Sequence, residues 1–305
     1  MDGFENDENV LWDVIQTSEG EEKAEALIQL SYHSSHRGAY QDSLALCETA
    51  RDIYENLGPV RNEATLAHIY FGIGFSLRQL KRSRDAAFAL GRSASIYQSI
   101  GSDEALQVRN DEGDMWFEAG DFQRSFEAYR NAIEFPSLES SNQIMAKNFA
   151  DAGTALEKLQ RWEDALGYFE NARKIYKSLK MLESIAHCDE EISLCYFKLD
   201  LGQKALDHAQ RALDFAVTAR DDYHLMWSYS RLGLAYKLLE NFEESLKFFE
   251  LAKSIMVHHE TPPWAALIKL EKQVASIYER EGRTREAEEI LRRIAVIAEI
   301  VMEEN

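Results

Sequence analysis

Only four prolines and fifteen glycines interrupt the 305 residues of this chain. Proline removes a backbone donor and breaks helices, and glycine costs about 1 kcal/mol in a helix interior, so their scarcity leaves long helices free to run. No alternating apolar and polar pattern of the kind a strand needs stands out. Cysteine is scarce too: Cys47, Cys188 and Cys195 form an odd, widely spaced set without a C-x-x-C pair, which gives no sign of zinc or redox chemistry. They read as small buried apolar side chains. No window approaches eighteen apolar residues, and the chain does not open on a basic segment followed by an apolar core. That excludes a membrane-spanning helix and a secretory leader from the expected picture, which is a soluble protein of the reducing cytoplasm.

Basic residues are also in short supply. Thirty-four Lys and Arg stand against fifty-three Asp and Glu, a formal net charge of −19. A phosphate backbone needs clustered cations to release its counterions, so nucleic acid is not the expected partner. Acid is concentrated at the start, where Asp2, Glu5, Asp7, Glu8, Asp13, Glu19, Glu21, Glu22 and Glu25 face only Lys23. Residues 1–21 are expected to form an acidic tail and short helix, with the first ten residues mobile.

What is abundant is a repeat. Residues 231–252, RLGLAYKLLENFEESLKFFELA, place Leu232, Gly233, Tyr236, Ser245, Phe249 and Ala252 at spacings that recur along the chain. Sliding this unit gives a small residue inside each first helix: Ser31, Gly74, Gly113, Gly153, Ser193, Gly233 and Ala275. A second small residue opens each second helix: Ser43, Ala86, Ser125, Ala165, Ala205, Ser245 and Ala287, separated by 39 to 43 residues. Two antiparallel helices approach closely only where a side chain is nearly absent, and a bulky one would overpack them. Three residues beyond the first site, Trp116, Leu156, Tyr196, Tyr236 and Tyr278 are expected to fill the space between neighbouring units as core. Pro59, Pro136, Pro262 and Pro263 fall between units, while Gly38, Gly120 and Gly282 fall in the turns within them.

This pattern of L-G-x-x-Y, then A, F and A, resembles the tetratricopeptide repeat. The resemblance implies an all-α, right-handed superhelical solenoid of about seven helix-turn-helix repeats, at about 22–58, 61–101, 103–137, 141–180, 181–220, 222–260 and 263–303, forming a single domain over 22–305. The period near forty exceeds the family's 34, which adds up to about a turn to each helix. Units of this length are similar to those of the spindle-orientation adaptors, the kinesin light chains and the peptide-sensing regulators of Firmicutes, response-regulator phosphatases among them.

Nothing in the sequence points to catalysis. There is no phosphate-binding G-x-x-x-x-G-K-[ST] loop, no G-x-S-x-G elbow and no H-E-x-x-H. His258 and His259 fall at an expected helix end, where imidazole meets the negative end of the dipole. Cys188 and Cys195 share a helix face beside His187 but lack a convincing third and fourth ligand for zinc. No enzyme, cofactor or metal is expected.

The resemblance puts the partner-binding groove on the first helix of every repeat. Its positions carry Ile28, Tyr32, Phe71, Phe75 and Arg78 in the first two repeats, an apolar and aromatic set. In repeats three to five they carry Asn110, Asp114, Asp151, Glu157, Glu190 and Phe197, largely acidic; in the last two they carry Trp227, Arg231, Lys237, Lys269, Lys272 and Arg280, largely basic. Such an order suits a peptide or helix of complementary charge order from a partner protein. The family's chaperone-tail receptors clamp a terminal carboxylate with a Lys-Asn-Asn-Lys-Arg set that is not found here. The function expected is thus a non-catalytic interaction scaffold. The alternative is a peptide-responsive regulator, against which stands the shortness of the segment before the first repeat. Ile290, Leu291, Ile294, Val296, Ile297, Ala298, Ile300 and Val301 form an apolar stripe on the last helix that would suit a homodimer.

Overall fold

The computed structural model describes residues 2–58, 62–135, 142–259 and 261–303. Among them every regular element is an α-helix: α1 Asp2–Thr17, α2 Gly20–His36, α3 Tyr40–Asn56, α4 Glu63–Gln79, α5 Ser83–Ser99, α6 Glu104–Glu118, α7 Phe122–Glu134, α8 Asn142–Lys158, α9 Trp162–Leu179, α10 Leu182–Lys198, α11 Gly202–Ala219, α12 Asp222–Leu238, α13 Phe242–His258, α14 Trp264–Arg280 and α15 Thr284–Glu303. Two compact units divide the chain at residues 159 and 160. The first holds α1, the hairpins α2–α3, α4–α5 and α6–α7, and α8; the second holds α9 and the hairpins α10–α11, α12–α13 and α14–α15. The boundary between the units falls inside the fourth expected repeat, between α8 and α9. Pro59, Pro136 and Glu260, and the side chains of Ile300 and Val301, lie outside the described residues.

Each hairpin closes where the small residues sit. All seven first-helix sites and all seven second-helix sites are buried. A Cβ at Gly113 would stand 2.4 Å from Cε1 of Tyr129, and one at Gly233 2.5 Å from Cδ1 of Phe249, so a large side chain of the second helix occupies the room the glycine leaves. Gly74 plays the same part under Leu90. Hydroxyls fasten the crossing: Ser193 donates to the Ala205 carbonyl at 2.8 Å and Ser245 to the Gly233 carbonyl at 2.7 Å.

The turns within the hairpins share one geometry. An N–H donates five residues back, from Arg82 to Leu77, Asp121 to Trp116, Leu201 to Tyr196, Asn241 to Tyr236 and Arg283 to Tyr278, which is the Schellman closure. It demands one left-handed residue. Gly38, Gly120 and Gly282 supply it at φ of 77°, 77° and 73°, but Lys81, Asp200 and Glu240 are held there at 57° to 59°. A side chain in that region costs about 1 kcal/mol. Glu240→Gly is therefore expected to raise stability by up to about 1 kcal/mol and Gly120→Ala to lower it by a similar amount, measured by urea unfolding.

Two of the expected core aromatics are corrected by the structure, and helices α1 and α15 add detail. The acidic start is helical from Asp2, because Leu11, Val14 and Ile15 pack on the first unit's core and Glu8 pairs with Arg37 at 2.5 Å. Trp116, Leu156 and Tyr196 are core, whereas Tyr236 is only half-buried, stacked on Phe248, and Tyr278 is half-buried beneath the Arg283 guanidinium. Of the stripe on α15, Ile290 and Ile294 are buried within their own unit, while Leu291 and Val296 are exposed. The cysteines are free and buried, and burial pushes the Cys188 thiol up to about 12. His258 is exposed at the end of α13 and His259, just beyond it, is half-buried, with His258 Nδ1 2.7 Å from the Ser254 carbonyl oxygen.

Candidate functional site

In the first unit, three of the positions read from the sequence converge. Arg78 of α4, Asp114 of α6 and Asp151 of α8 line one open cavity of about 230 Å³, together with Phe117, Glu118, Tyr129 and Thr154. Tyr129 reaches it from the second helix α7, where its ring passes over Gly113 and its hydroxyl donates to Asp114 at 2.7 Å. Burial pushes the Asp114 carboxyl above its ordinary value, against the pull of the Tyr129 hydroxyl and the Lys147 ammonium. Burial and the neighbouring Asp114 charge raise Asp111 likewise, and the Tyr129 phenol is raised by burial and by Asp114. Lys147 lies 2.8 Å from Asp151 and 3.9 Å from Asp114. Burial disfavours the charged form of Asp114, and a cation placed beside it would favour that form.

A buried amide pair adjoins Asp151. Asn110 Nδ2 donates to Asn148 Oδ1 at 2.8 Å and to Asp151 Oδ2 at 3.0 Å, and Asn110 Oδ1 accepts from Lys147. Asn148 Nδ2 is buried with no partner among the described residues. The other first-unit positions do not join the cavity. Tyr32 is exposed and meets His36 edge-on at 4.2 Å, Phe71 stacks on His68, and Phe75 meets Tyr40. Glu157 is half-buried near the end of α8.

In the second unit Glu190, Trp227 and Arg231 come together. Glu190 is buried between α10 and α12, and its carboxylate accepts from Ser228 Oγ at 3.1 Å and lies 3.1 Å from His224 Nδ1. Arg231 donates to the Glu190 carbonyl at 3.1 Å, pairs with Glu191 at 3.1 Å and covers the Trp227 ring. Burial raises Glu190, and the hydrogen bond to Glu190 raises His224. A buried Asp189 holds His208 at 2.5 Å and Arg173 at 2.8 Å. Phe197 is half-buried beside the Lys198 ammonium, and Lys269, Lys272 and Arg280 are exposed on α14.

Asn110 and Glu190 thus lie inside the packing between successive first helices, each about 1% exposed, rather than on an open wall. Sequence reading missed Tyr129, Lys147, Asn148, His224 and Ser228, of which only Tyr129 left a signal: a hydroxyl where other repeats carry Leu90 or Phe249. Among the described residues no group of His, Cys, Asp and Glu is arranged to hold a metal ion, and no helix is long and apolar enough to cross a membrane.

Successive helical hairpins, each closed by small residues, define an all-α repeat protein. Residues 182–256 match the family model of the tetratricopeptide repeat, and the chain has the fold of tetratricopeptide-repeat solenoids. Comparison with curated protein sequences finds no match. Among solved structures it is similar to the apo form of RapI, with a TM-score of 0.64 at 13% identity over 92% of this chain and 99% of that one. It is similar also to the signal-transduction ATPase PH0952 with a tetratricopeptide-repeat sensor from Pyrococcus horikoshii, at 0.65 and 15%, where 98% of this chain spans only 45% of the other. The apo quorum sensor NprR from B. thuringiensis scores 0.57 at 15% identity, covering 96% of this chain and 81% of that one.

Proposed function

We propose that the chain is a non-catalytic scaffold that binds a peptide or helical segment of a partner protein on its first helices. The convergence of Arg78, Asp114 and Asp151 from three successive first helices on one open cavity carries this reading. A basic side chain of the partner enters the cavity of the first unit beside Asp114 and Asp151, and acidic side chains meet Lys269 and Lys272 in the second. Exposed pairs contribute about 0.2–1 kcal/mol each, so the charges act together, chiefly on association rate. The partner is to be identified by crosslinking and mass spectrometry in the native host, and its binding measured over a salt series. Affinity is expected to fall as salt rises. Lys269→Glu with Lys272→Glu slows association, whereas Lys247→Glu, on the second helix α13, changes little; equal behaviour of the two variants would remove the first-helix surface from consideration.

A second reading, a peptide-responsive regulator, draws support from the likeness to the quorum sensor NprR. In that case a short peptide alone binds and changes the hydrogen-exchange protection of hairpins beyond its footprint. A scaffold shows protection only at the footprint.

A further inference from the structure

The last turns of the first helices in the second unit carry a cation each: Lys198 on α10, Lys237 on α12 and Arg280 on α14. Helix α12 packs against both α10 and α14, which sets these ends side by side. Lys198 and Arg280 stand five residues beyond the small sites Ser193 and Ala275, and Lys237 four beyond Gly233.

None of the three has a carboxylate partner among the described residues, although acids outnumber bases by more than three to two. Lys237 is half-buried and donates only to neutral acceptors on α14, Gln273 Oε1 at 2.7 Å and Ser276 Oγ at 2.5 Å. An ammonium has three N–H donors, so one is left. Ser276 spends its own proton on the Gln273 carbonyl at 2.9 Å, which fixes its oxygen toward the lysine. The Lys198 ammonium meets only the rings of Trp162 at 5.5 Å and Phe197 at 5.7 Å.

The negative end of a helix dipole favours one cation at each terminus. It does not account for what happens at Lys237, whose ammonium is pushed below its ordinary value by burial and then by the charges of Arg280 and Lys198. Mutual repulsion of three cations is a cost that an anion placed among them removes.

We propose that Lys198, bordered by Trp162 and Phe197, Lys237, held by Gln273 and Ser276, and Arg280 form a subsite for the acidic side chains of a partner peptide. This rests on the scaffold reading above and names one anchor point within it. The planar Arg280 fork and the pinned Lys237 ammonium suit a carboxylate.

The probe is a fluorescein-labelled hexaglutamate peptide with an amidated C-terminus, followed by anisotropy at low salt with the full chain. Saturable binding is expected, weakened at least about tenfold by Lys237→Met combined with Arg280→Gln. Lys237→Arg should retain binding, and the charge-matched control Lys247→Gln with Arg292→Gln, both on second helices, should retain it too. Thermal melting by circular dichroism verifies that each variant folds. No saturable binding to the wild type, or equal loss in test and control variants, overturns the proposal. Binding confined to a neutral hexaalanine peptide with a free C-terminus overturns the assignment to acidic side chains. If hexaglutamate binds as expected while Lys269→Glu with Lys272→Glu leaves the natural partner's association unchanged, the subsite stands and the wider first-helix reading falls. The opposite pair of results leaves that reading standing and removes the subsite.

Discussion

Gly233→Leu is expected to lower the stability of the second unit by about 3 kcal/mol, and Gly233→Ala by about 1–3 kcal/mol, in urea unfolding. Even one methyl group at Gly233 would lie 2.5 Å from Cδ1 and 2.6 Å from Cε1 of Phe249, far inside van der Waals contact. Phe249 cannot retreat, since it is itself about 1% exposed among Met226, Leu234, Ala252 and Met256. The helices must part, and parting them breaks the Ser245 hydrogen bond to the Gly233 carbonyl. Gly167 provides the contrast within a helix of the same unit. A Cβ there meets nothing within 4 Å, so Gly167→Ala should stabilise by about 0.5–1 kcal/mol through the lower entropy of the unfolded chain. If both alanine variants shift stability in the same direction, the close crossing at Gly233 is not what holds the hairpin.

The same crossing explains what could be read from the sequence. Close approach of two helices tolerates few residue types, so the constraint is printed in the sequence as a small residue about every forty positions. That spacing alone marks the helices of all seven repeats. Surface positions carry no such constraint. Asn110 and Glu190 occupy the same register, three residues before Gly113 and Ser193, and are buried, yet Lys272, three before Ala275, is exposed. Register alone therefore does not separate a polar residue that faces a partner from one that bonds to the next helix. What decides is the chemistry opposite: Asn148 and Lys147 face Asn110, and His224 and Ser228 face Glu190. Those partners lie 34 to 38 residues away in sequence, and nothing in the repeat pattern marks them. Tyr129 belongs between these cases. Its ring obeys the packing rule, and its hydroxyl adds a polar group that packing alone does not require.

The largest effect is expected at the buried acid. Glu190 and His224 are each enclosed, and the carboxylate has His224, Ser228 and the nearby Arg231 as its surroundings on α12. Glu190→Ala leaves imidazole and hydroxyl buried without their acceptor, which should cost about 3–5 kcal/mol. The pair also links stability to pH. His224 is raised above its ordinary 6.5, chiefly by the hydrogen bond to Glu190, so the folded protein holds that proton more tightly than the unfolded chain. Its contribution is fully present below pH 6.5 and is lost as pH rises through the folded value. Glu190 is raised above its ordinary 4.5 by burial, against the pull of His224, Arg231 and His187, and this too binds more protons in the folded state. Stability contributed by the pair therefore falls as pH rises from about 4.5 to above 6.5. The acids that face His224 besides Glu190, namely Asp221 and Glu183, act in the same direction by favouring imidazolium. In the His224→Gln variant an amide can still donate to Glu190, but the proton is gone. Urea unfolding of wild type and this variant at intervals from about pH 5 to 8 measures the difference directly. The gap between them should narrow or change sign as pH rises above 6.5, because the wild type alone loses a proton-linked contribution there. A gap that stays constant across that range would show that His224 carries the same charge in the folded and unfolded chains, and would end the linkage.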